Sequence, residues 1–385
     1  MVRRFQVVAV VAVLLVAVAS AHAGVEVKPY GYIKLDASFD SALTNDGNFA
    51  YIVLPYVGGE EQSEFNMTAK QTRLGLKMKG GGTDEMDLSG VIEFDFYGSG
   101  GENKSSPMLR KAYMVWKTEH VDILAGQTSD VISPIVPTTL NYIVLWKSGD
   151  IGYRRPQVRL SKMIPVGGGS RLDVEVAATR SMGAVAGGGE RVGAPAFQGR
   201  FSFGTEIGGY PAVIGVSTLM GKEEITYADS LANLTVCELD QSVVAVDVTL
   251  PLGHMFSVKG QYFTGKNLGQ YLGGVGQSFA DVPVEGSRNT ELVEIESSGW
   301  WAQLTAKPSK GWAVNVGAGT DDPEIPEGDM AGNKYEKNTT YYGNVLWTVA
   351  PAATIGAEYA MIETEYVGGE KYDDSRLQLS FMYKF

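Results

Sequence analysis

The last ten residues, Arg376-Leu377-Gln378-Leu379-Ser380-Phe381-Met382-Tyr383-Lys384-Phe385, alternate in character at every step. Successive side chains of a strand point to opposite faces, so Leu377, Leu379, Phe381, Tyr383 and Phe385 share one side. Arg376, Gln378, Ser380, Met382 and Lys384 share the other. One face is apolar and the other mostly polar. Such a strand does not belong in a core buried on both sides, and its apolar face needs lipid or a second sheet.

The same period of two recurs upstream. Asp87, Ser89, Glu93 and Asp95 alternate with Leu88, Ile92, Phe94 and Phe96; Gln198, Arg200 and Ser202 alternate with Phe197, Phe201 and Phe203. Further copies set Gln71, Arg73 and Lys77 against Thr72, Leu74, Leu76 and Met78, and Ser257, Lys259 and Gln261 against Phe256, Val258 and Tyr262. The links between these runs alternate in length. Short returns are expected at 80–85, 118–120, 163–170, 204–209, 251–253, 308–310 and 351–352, with long ones at 98–106, 129–150, 181–194, 222–238, 266–296 and 321–337. About sixteen strands result, an even number in the range of bacterial transmembrane barrels, whose turns are short on one side and long on the other. A secreted β-sandwich or β-helix shares the alternation but requires neither the alternating links nor a terminal aromatic. Aromatics also gather where strands should meet a membrane interface: Tyr30, Tyr32, Trp116, Trp300, Trp301, Trp312, Tyr341, Tyr342, Trp347 and Phe385. The fold class expected is an all-β, antiparallel up-and-down transmembrane barrel.

The ends and composition agree. Arg3 and Arg4, an apolar run over 7–18 and Ala21-His22-Ala23 read as a cleavable export signal over 1–23, leaving 24–385 as a single barrel domain exported through the periplasm to the outer membrane. Cys237 is the single cysteine, which excludes an internal disulfide framework. Enzymatic chemistry finds little support. The histidines are His22, His120 and His254, without a neighbouring serine nucleophile and carboxylate orienter, and too few for a zinc site. Glycine runs at 80–82 and 187–189 lack the lysine of a phosphate-binding loop.

Particular stretches carry a resemblance. Pro29-Tyr30-Gly31-Tyr32-Ile33-Lys34-Leu35-Asp36, Leu124-Ala125-Gly126-Gln127-Thr128, the run from Gly152-Tyr153-Arg154-Arg155 through Leu160, and Gly260-Gln261-Tyr262-Phe263-Thr264-Gly265-Lys266-Asn267-Leu268 resemble the DcaP-like porins. The resemblance spans nearly the whole chain after the signal. It implies a homotrimer of sixteen-stranded barrels, each narrowed by an inward-folded third loop and admitting small organic anions such as dicarboxylates. Prototype members carry a coiled-coil extension before the barrel, whereas the first strand here is expected close to the cleavage site; trimer contacts would then rest on the barrel walls. Phe385 is similar to the terminal signal read by the barrel-assembly machinery during insertion.

The third long link, 129–150, carries Pro134, Pro137, Leu140, Tyr142, Ile143, Leu145 and Trp146. It is too apolar for a solvated loop. It either folds into the lumen as a constriction or rests on a neighbouring subunit, and the constriction is the favoured reading. Directly after it, Arg155, Gln157, Arg159 and Ser161 share one strand face, with Arg73, Lys77, Arg110, Lys111 and Arg200 as candidate neighbours. Rings of Arg or Lys favour anions in a narrow pore. The alternative is a salt-bridge lattice with Asp36, Glu93, Asp95 and Glu358 that stiffens the wall. The net charge of −12 is carried largely by carboxylates of the long links, either a solvated acidic surface or groups bridged by divalent cations to lipopolysaccharide. The function expected is passive diffusion of small anionic solutes; a weakly cation-selective porin and a non-conducting structural or adhesive barrel are the alternatives. No cofactor, resident metal or nucleic-acid partner is implied.

Overall fold

Residues that alternate apolar with polar pair into antiparallel hairpins around one sheet. The structure, a computed structural model, describes residues 24–60, 62–98, 104–228, 234–285 and 290–385; the expected export signal lies outside the described residues. The chain opens with β1 (Val25–Asp40), β2 (Glu64–Thr68), β3 (Arg73–Gly80), β4 (Met86–Asp95), β5 (Met108–Thr118) and β6 (Asp122–Ser129). It continues through β7 (Arg154–Gly167), β8 (Ser170–Thr179), β9 (Ala196–Ile207), β10 (Tyr210–Ala228), β11 (Leu234–Leu252) and β12 (Phe256–Lys266). A small separate hairpin, β13 (Phe279–Pro283) with β14 (Thr290–Glu294), precedes β15 (Glu296–Ala306), β16 (Trp312–Glu324), β17 (Tyr335–Ala350), β18 (Ala353–Tyr366) and β19 (Lys371–Lys384). The last strand returns to the first, with Tyr32 opposite Lys384 and Asp40 opposite Arg376. β2 and β3 both pair with β1 and form a single interrupted stave, so the seventeen strands of the sheet close into a sixteen-stave barrel.

The barrel is apolar outside and polar within. Leu377, Leu379 and Phe381 are 44–51% exposed, whereas Arg376, Gln378 and Ser380 between them are 2–3% exposed. The other alternating runs follow: Phe197 and Phe201 stand out from β9 while Gln198 and Ser202 turn in, and Tyr262 stands out from β12 while Gln261 turns in. Apolar cores form inside the barrel, where loops lie against the wall. Ile132 and Ile151 of the 130–153 loop, here called L3, pack with Leu268 and Tyr271 on Leu219, Val243 and Phe263.

Several expectations need adjustment. The return expected over 163–170 contracts to Gly168 and Gly169, because the neighbouring Gly167 and these two all take left-handed angles (φ 60–86°) that other residues resist. The long link expected over 222–238 is mostly strand. β10 and β11 stay in register from Val213–Thr249 out to Ala228–Leu234, and Lys222 pairs with Glu238 at 2.9 Å. The link expected over 321–337 shortens in the same way to 325–334. Trp300, Trp312, Tyr341, Trp347 and Phe385 lie on the outer face as expected. Trp301 and Tyr342 are instead buried inside, and Tyr30 points inward, donating its hydroxyl hydrogen to Glu93 at 2.9 Å.

Candidate solute passage

L3 crosses the lumen. Near its start the N–H groups of Val131 and Ile132 donate to Gln198 on β9, and Gln261 of β12 donates to the Ile132 carbonyl at 2.8 Å. Thr138 donates to Gln303 on β15, and Asn344 of β17 donates to the Thr138 carbonyl. At the far wall the N–H groups of Leu140 and Asn141 donate to the two oxygens of Glu358 at 2.7 and 3.0 Å. The Leu140 carbonyl accepts from Lys34 of β1 and Gln378 of β19. Tyr142 then meets β4 and β5, its hydroxyl 3.1 Å from Asp95 and 2.8 Å from Arg110. Each wall residue that holds the loop is a polar inward position of its strand, so the alternation that makes the barrel also builds the loop's hydrogen-bond belt. Of the expected constriction residues, Pro137, Tyr142 and Trp146 are buried and Pro134 half-buried within the barrel.

A second segment folds inward beside L3. Asn267, Leu268, Tyr271, Val275 and Gln277 are buried, with Lys147 N–H donating to the Leu272 carbonyl and Gly152 N–H to the Tyr271 carbonyl. Asp321, expected on an outer loop, lies buried on β16 and accepts the N–H groups of Gly274 and Val275. The segment 267–278 carries Leu268, Tyr271, Leu272 and Val275 among its glycines, apolar residues of the kind that marked L3; its position at the head of a long link hid it.

The selectivity candidates divide. Arg155, Gln157 and Arg159 do share the inward face of β7, since Pro156 and the 53%-exposed Val158 lie outside. Arg155, however, is only 2% exposed, 2.8 Å from Asp130 and stacked 3.8 Å from the Tyr271 ring centre, so it is a brace between L3 and segment 267–278. Arg200 is likewise taken by Asp247 at 2.7 Å and by Ser202. Both guanidiniums are thus held by a carboxylate, Arg155 buried and Arg200 half-buried. Gln157 donates to the Thr128 and Ser129 carbonyls at the root of L3. Arg159 keeps some accessible surface while bonding Glu175, Gln157 and the Ser129 carbonyl.

The remaining candidates, Arg73, Lys77, Arg110 and Lys111, lie on β3 and β5. On the β9 to β18 side, inward residues such as Ser217, Asp247, Gln303 and Asn315 are buried, and L3 and segment 267–278 run against this wall. On the β3 to β8 side Arg73, Lys77, Lys111, Tyr113, Arg159 and Glu175 retain accessible surface. The solvent-reached part of the lumen therefore runs along β3 to β8. A register shift between β4 and β5 after Glu93 sets Lys111 opposite Glu93 and leaves Arg110 as the extra residue, so two consecutive cations face in. Arg110 reaches Glu93 at 3.0 Å and Asp95 at 2.7 Å, and Arg73 stands 3.7 Å from Glu93. Three cations thus share two carboxylates. Lys77 lies over the Tyr30 ring at 4.8 Å. That ring rests on Gly75, where a Cβ would come within 2.5 Å of it.

Two charges of L3 are perturbed by burial. Burial pushes the Asp150 carboxyl well above its ordinary range, offset only in part by the Ile151 N–H, Trp301 and Lys259. Burial lowers the Lys147 ammonium against the pull of Asp321.

The sequence matches no protein-family model and no curated protein. Solved structures do match. The outer membrane channel DcaP of Acinetobacter baumannii superposes with a TM-score of 0.75 at 22% identity, covering 94% of this chain and 98% of the channel. An anion-selective porin from Comamonas acidovorans gives 0.58 at 10% identity, over 94% and 100% of the two chains. Salmonella typhi OmpF, in a complex with daunomycin, gives 0.57 at 11% identity, over 94% and 99%. The chain is therefore a closed sixteen-stave antiparallel barrel with the fold of the DcaP channel, the architecture expected from its alternating strands.

Proposed function

We propose that the chain is a passive diffusion pore of the bacterial outer membrane that favours small hydrophilic anions, dicarboxylates among them. The observation that carries this reading is the surplus of cations where the lumen stays open. On the accessible strip beside L3, Arg73, Lys77, Lys111 and Arg159 outnumber Glu93 and Glu175, while Arg110 is held behind them by Glu93 and Asp95. In a narrow passage with low-dielectric walls such a surplus concentrates anions and repels cations. Arg155 and Arg200, each held by a carboxylate, contribute structure. The long-loop end faces the cell exterior and the outer wall contacts lipid and lipopolysaccharide. Phe385, whose backbone pairs with Gly31 at the seam, serves the assembly machinery. A homotrimer fits the large exposed apolar wall, and a Vibrio cholerae OmpT of the same fold occurs in a trimer form.

Reversal potentials across a planar bilayer under a salt gradient test the preference. The wild type is expected to pass anions more readily, and Arg73→Glu with Lys111→Glu to lower or invert that preference while the barrel still folds. Cation preference in the wild type, or unchanged selectivity in the double variant, contradicts the reading. One observation favours a second reading, a barrel plugged by its own loops: L3 and segment 267–278 together fill the lumen along β9 to β18. That reading predicts no conductance at all.

A further inference from the structure

The inward segment 267–278 has a fixed base and a light tip. At the base Leu268 and Tyr271 pack into the apolar core on Leu219, Val243 and Phe263, and Arg155 stacks on the Tyr271 ring. The tip, Leu272-Gly273-Gly274-Val275-Gly276-Gln277, is half glycine. It lies across the inner faces of β15, β16 and β17 at the long-loop mouth but forms no ladder with them. Its Gly276 and Gln277 N–H groups donate to carbonyls of the tip itself, those of Gly273 and Gly274. Side chains hold it to the wall. Asp321 of β16 accepts the Gly274 and Val275 N–H groups at 3.1 Å each and the Ser297 hydroxyl at 2.9 Å. Gln277 accepts the N–H groups of Lys334 and Tyr335 where β17 begins. The backbone of the tip is strained: Leu272 and Val275 take left-handed angles (φ 65° and 50°), costly for any L-residue and most of all for a β-branched one. Among the described residues, every non-glycine residue with such an angle belongs to L3 or to this segment. A tip with few apolar contacts, a strained backbone and one buried carboxylate as its main anchor is built to have two arrangements.

We propose that the tip 272–277 is a flap that narrows the long-loop mouth of the lumen and swings off the wall, with Asp321 as the positioning residue that latches it shut. Latched, the flap gains the charge-assisted hydrogen bonds to Asp321 in a site closed to water. Released, the carboxylate and the freed N–H groups hydrate in the lumen, and Leu272 and Val275 relax to ordinary angles. The two arrangements therefore exchange one set of hydrogen bonds for hydration plus relief of strain. The clamped Tyr271 keeps the base in place, which sets one hinge at Leu272 and the other after Gln277. The flap borders solvent-reached space: Gly276 is exposed, and a Cβ on it would come within 2.9 Å of the half-buried Lys147 ammonium. L3 is different. It is tied along its length to β9, β12, β15, β17, β18, β1 and β19, so it stays where it is. The inference rests on the pore reading and adds to the fixed L3 a second restriction that moves.

Single channels of the folded barrel in a planar bilayer are expected to show a lower and an upper level, for the latched and the released flap. Asp321→Ala should stay at the upper level, about 1.5-fold above the lower, and admit larger neutral polyethylene glycols than the wild type. A lock tests the same assignment in reverse. A Cβ on Gly274 would lie 3.8 Å from that of Ser297, a distance that a disulfide spans. Gly274→Cys with Ser297→Cys in a Cys237→Ser background should therefore hold the lower level when oxidised and regain the upper one with dithiothreitol. Both forms carry the same substitutions, so this comparison stands even where Asp321→Ala does not fold. Added to Asp321→Ala, the oxidised lock should bring the lower level back. Equal conductance and polymer cut-off in Asp321→Ala and the wild type, or in the oxidised and reduced lock, overturns the inference. Amide exchange reads the flap without current. Protection of the Gly276 and Gln277 amides should fall about tenfold in Asp321→Ala, while Val131 and Ile132, bonded to Gln198, keep theirs. Loss of that protection in a barrel that never conducts contradicts the pore and leaves the flap; a conducting barrel in which it does not change removes the flap alone.

Discussion

Arg155 and Arg159 stand four residues apart on one face of β7 and have different roles. Arg155 is sealed against Asp130, so Arg155→Ala leaves a buried carboxylate with hydrogen bonds from Gln198 and the Tyr153 N–H but no countercharge, and is expected to cost about 3–5 kcal/mol. Urea unfolding in detergent would read that loss, while the reversal potential should stay near the wild-type value; a large change in selectivity with little in stability would restore Arg155 to the pore. Asp150 gives L3 a dependence on pH. Its carboxyl is raised by burial, so the neutral form is the one the fold favours. The contribution is complete below the ordinary carboxylate range and is lost as pH rises through the raised value. Protection of the L3 amides, taken as exchange relative to the intrinsic base-catalysed rate, should accordingly fall toward alkaline pH, and Asp150→Asn should flatten the dependence. Protection that rises with pH would reverse the assignment. The inward set of β7 was legible in the sequence because its period is two; which arginine is spent on a partner was not, because Asp130 and Asp247 meet Arg155 and Arg200 only through pairing of non-adjacent segments.

At the scale of the elements, alternation made the strands readable, and departures from it place Arg110 and the inward-folded segments. The β4–β5 register shift that turns both Arg110 and Lys111 inward breaks the period locally. L3 announced itself by apolar residues in a long link, whereas segment 267–278, with Leu268, Tyr271 and Val275, was masked by the acidic stretch that follows. Strand ends were underestimated at β10–β11, where charged residues such as Lys222, Glu223 and Glu238 suggested a loop. There the backbone ladder continues, with Lys222 and Glu238 paired across it. β3 supplies a direct test of how the strip is held. Gly75→Ala places a methyl within 2.5–2.6 Å of the Tyr30 ring, which must move away from Glu93. The expected cost is about 1–3 kcal/mol, read as a lower unfolding midpoint, and removal of the ring by Tyr30→Ala in the same chain should make the glycine change nearly neutral. Additive losses would mean that the two residues do not touch.

For the whole molecule, a water-filled pore requires that the exposed rows of Leu, Phe and Tyr meet lipid and that the polar rows border water. Leu379→Arg puts a charge on the outer face and is expected to cost about 2–4 kcal/mol on folding into vesicles if it lies near the bilayer midplane. Gln303→Ala, on the inner face, should leave insertion intact and loosen L3 at Thr138. Conductance of the purified, folded barrel in a planar bilayer reads the open lumen itself. Discrete, passive current steps that rise with salt and carry more anion than cation are predicted. A barrel that inserts, resists detergent unfolding until heated and yet passes no current would contradict it.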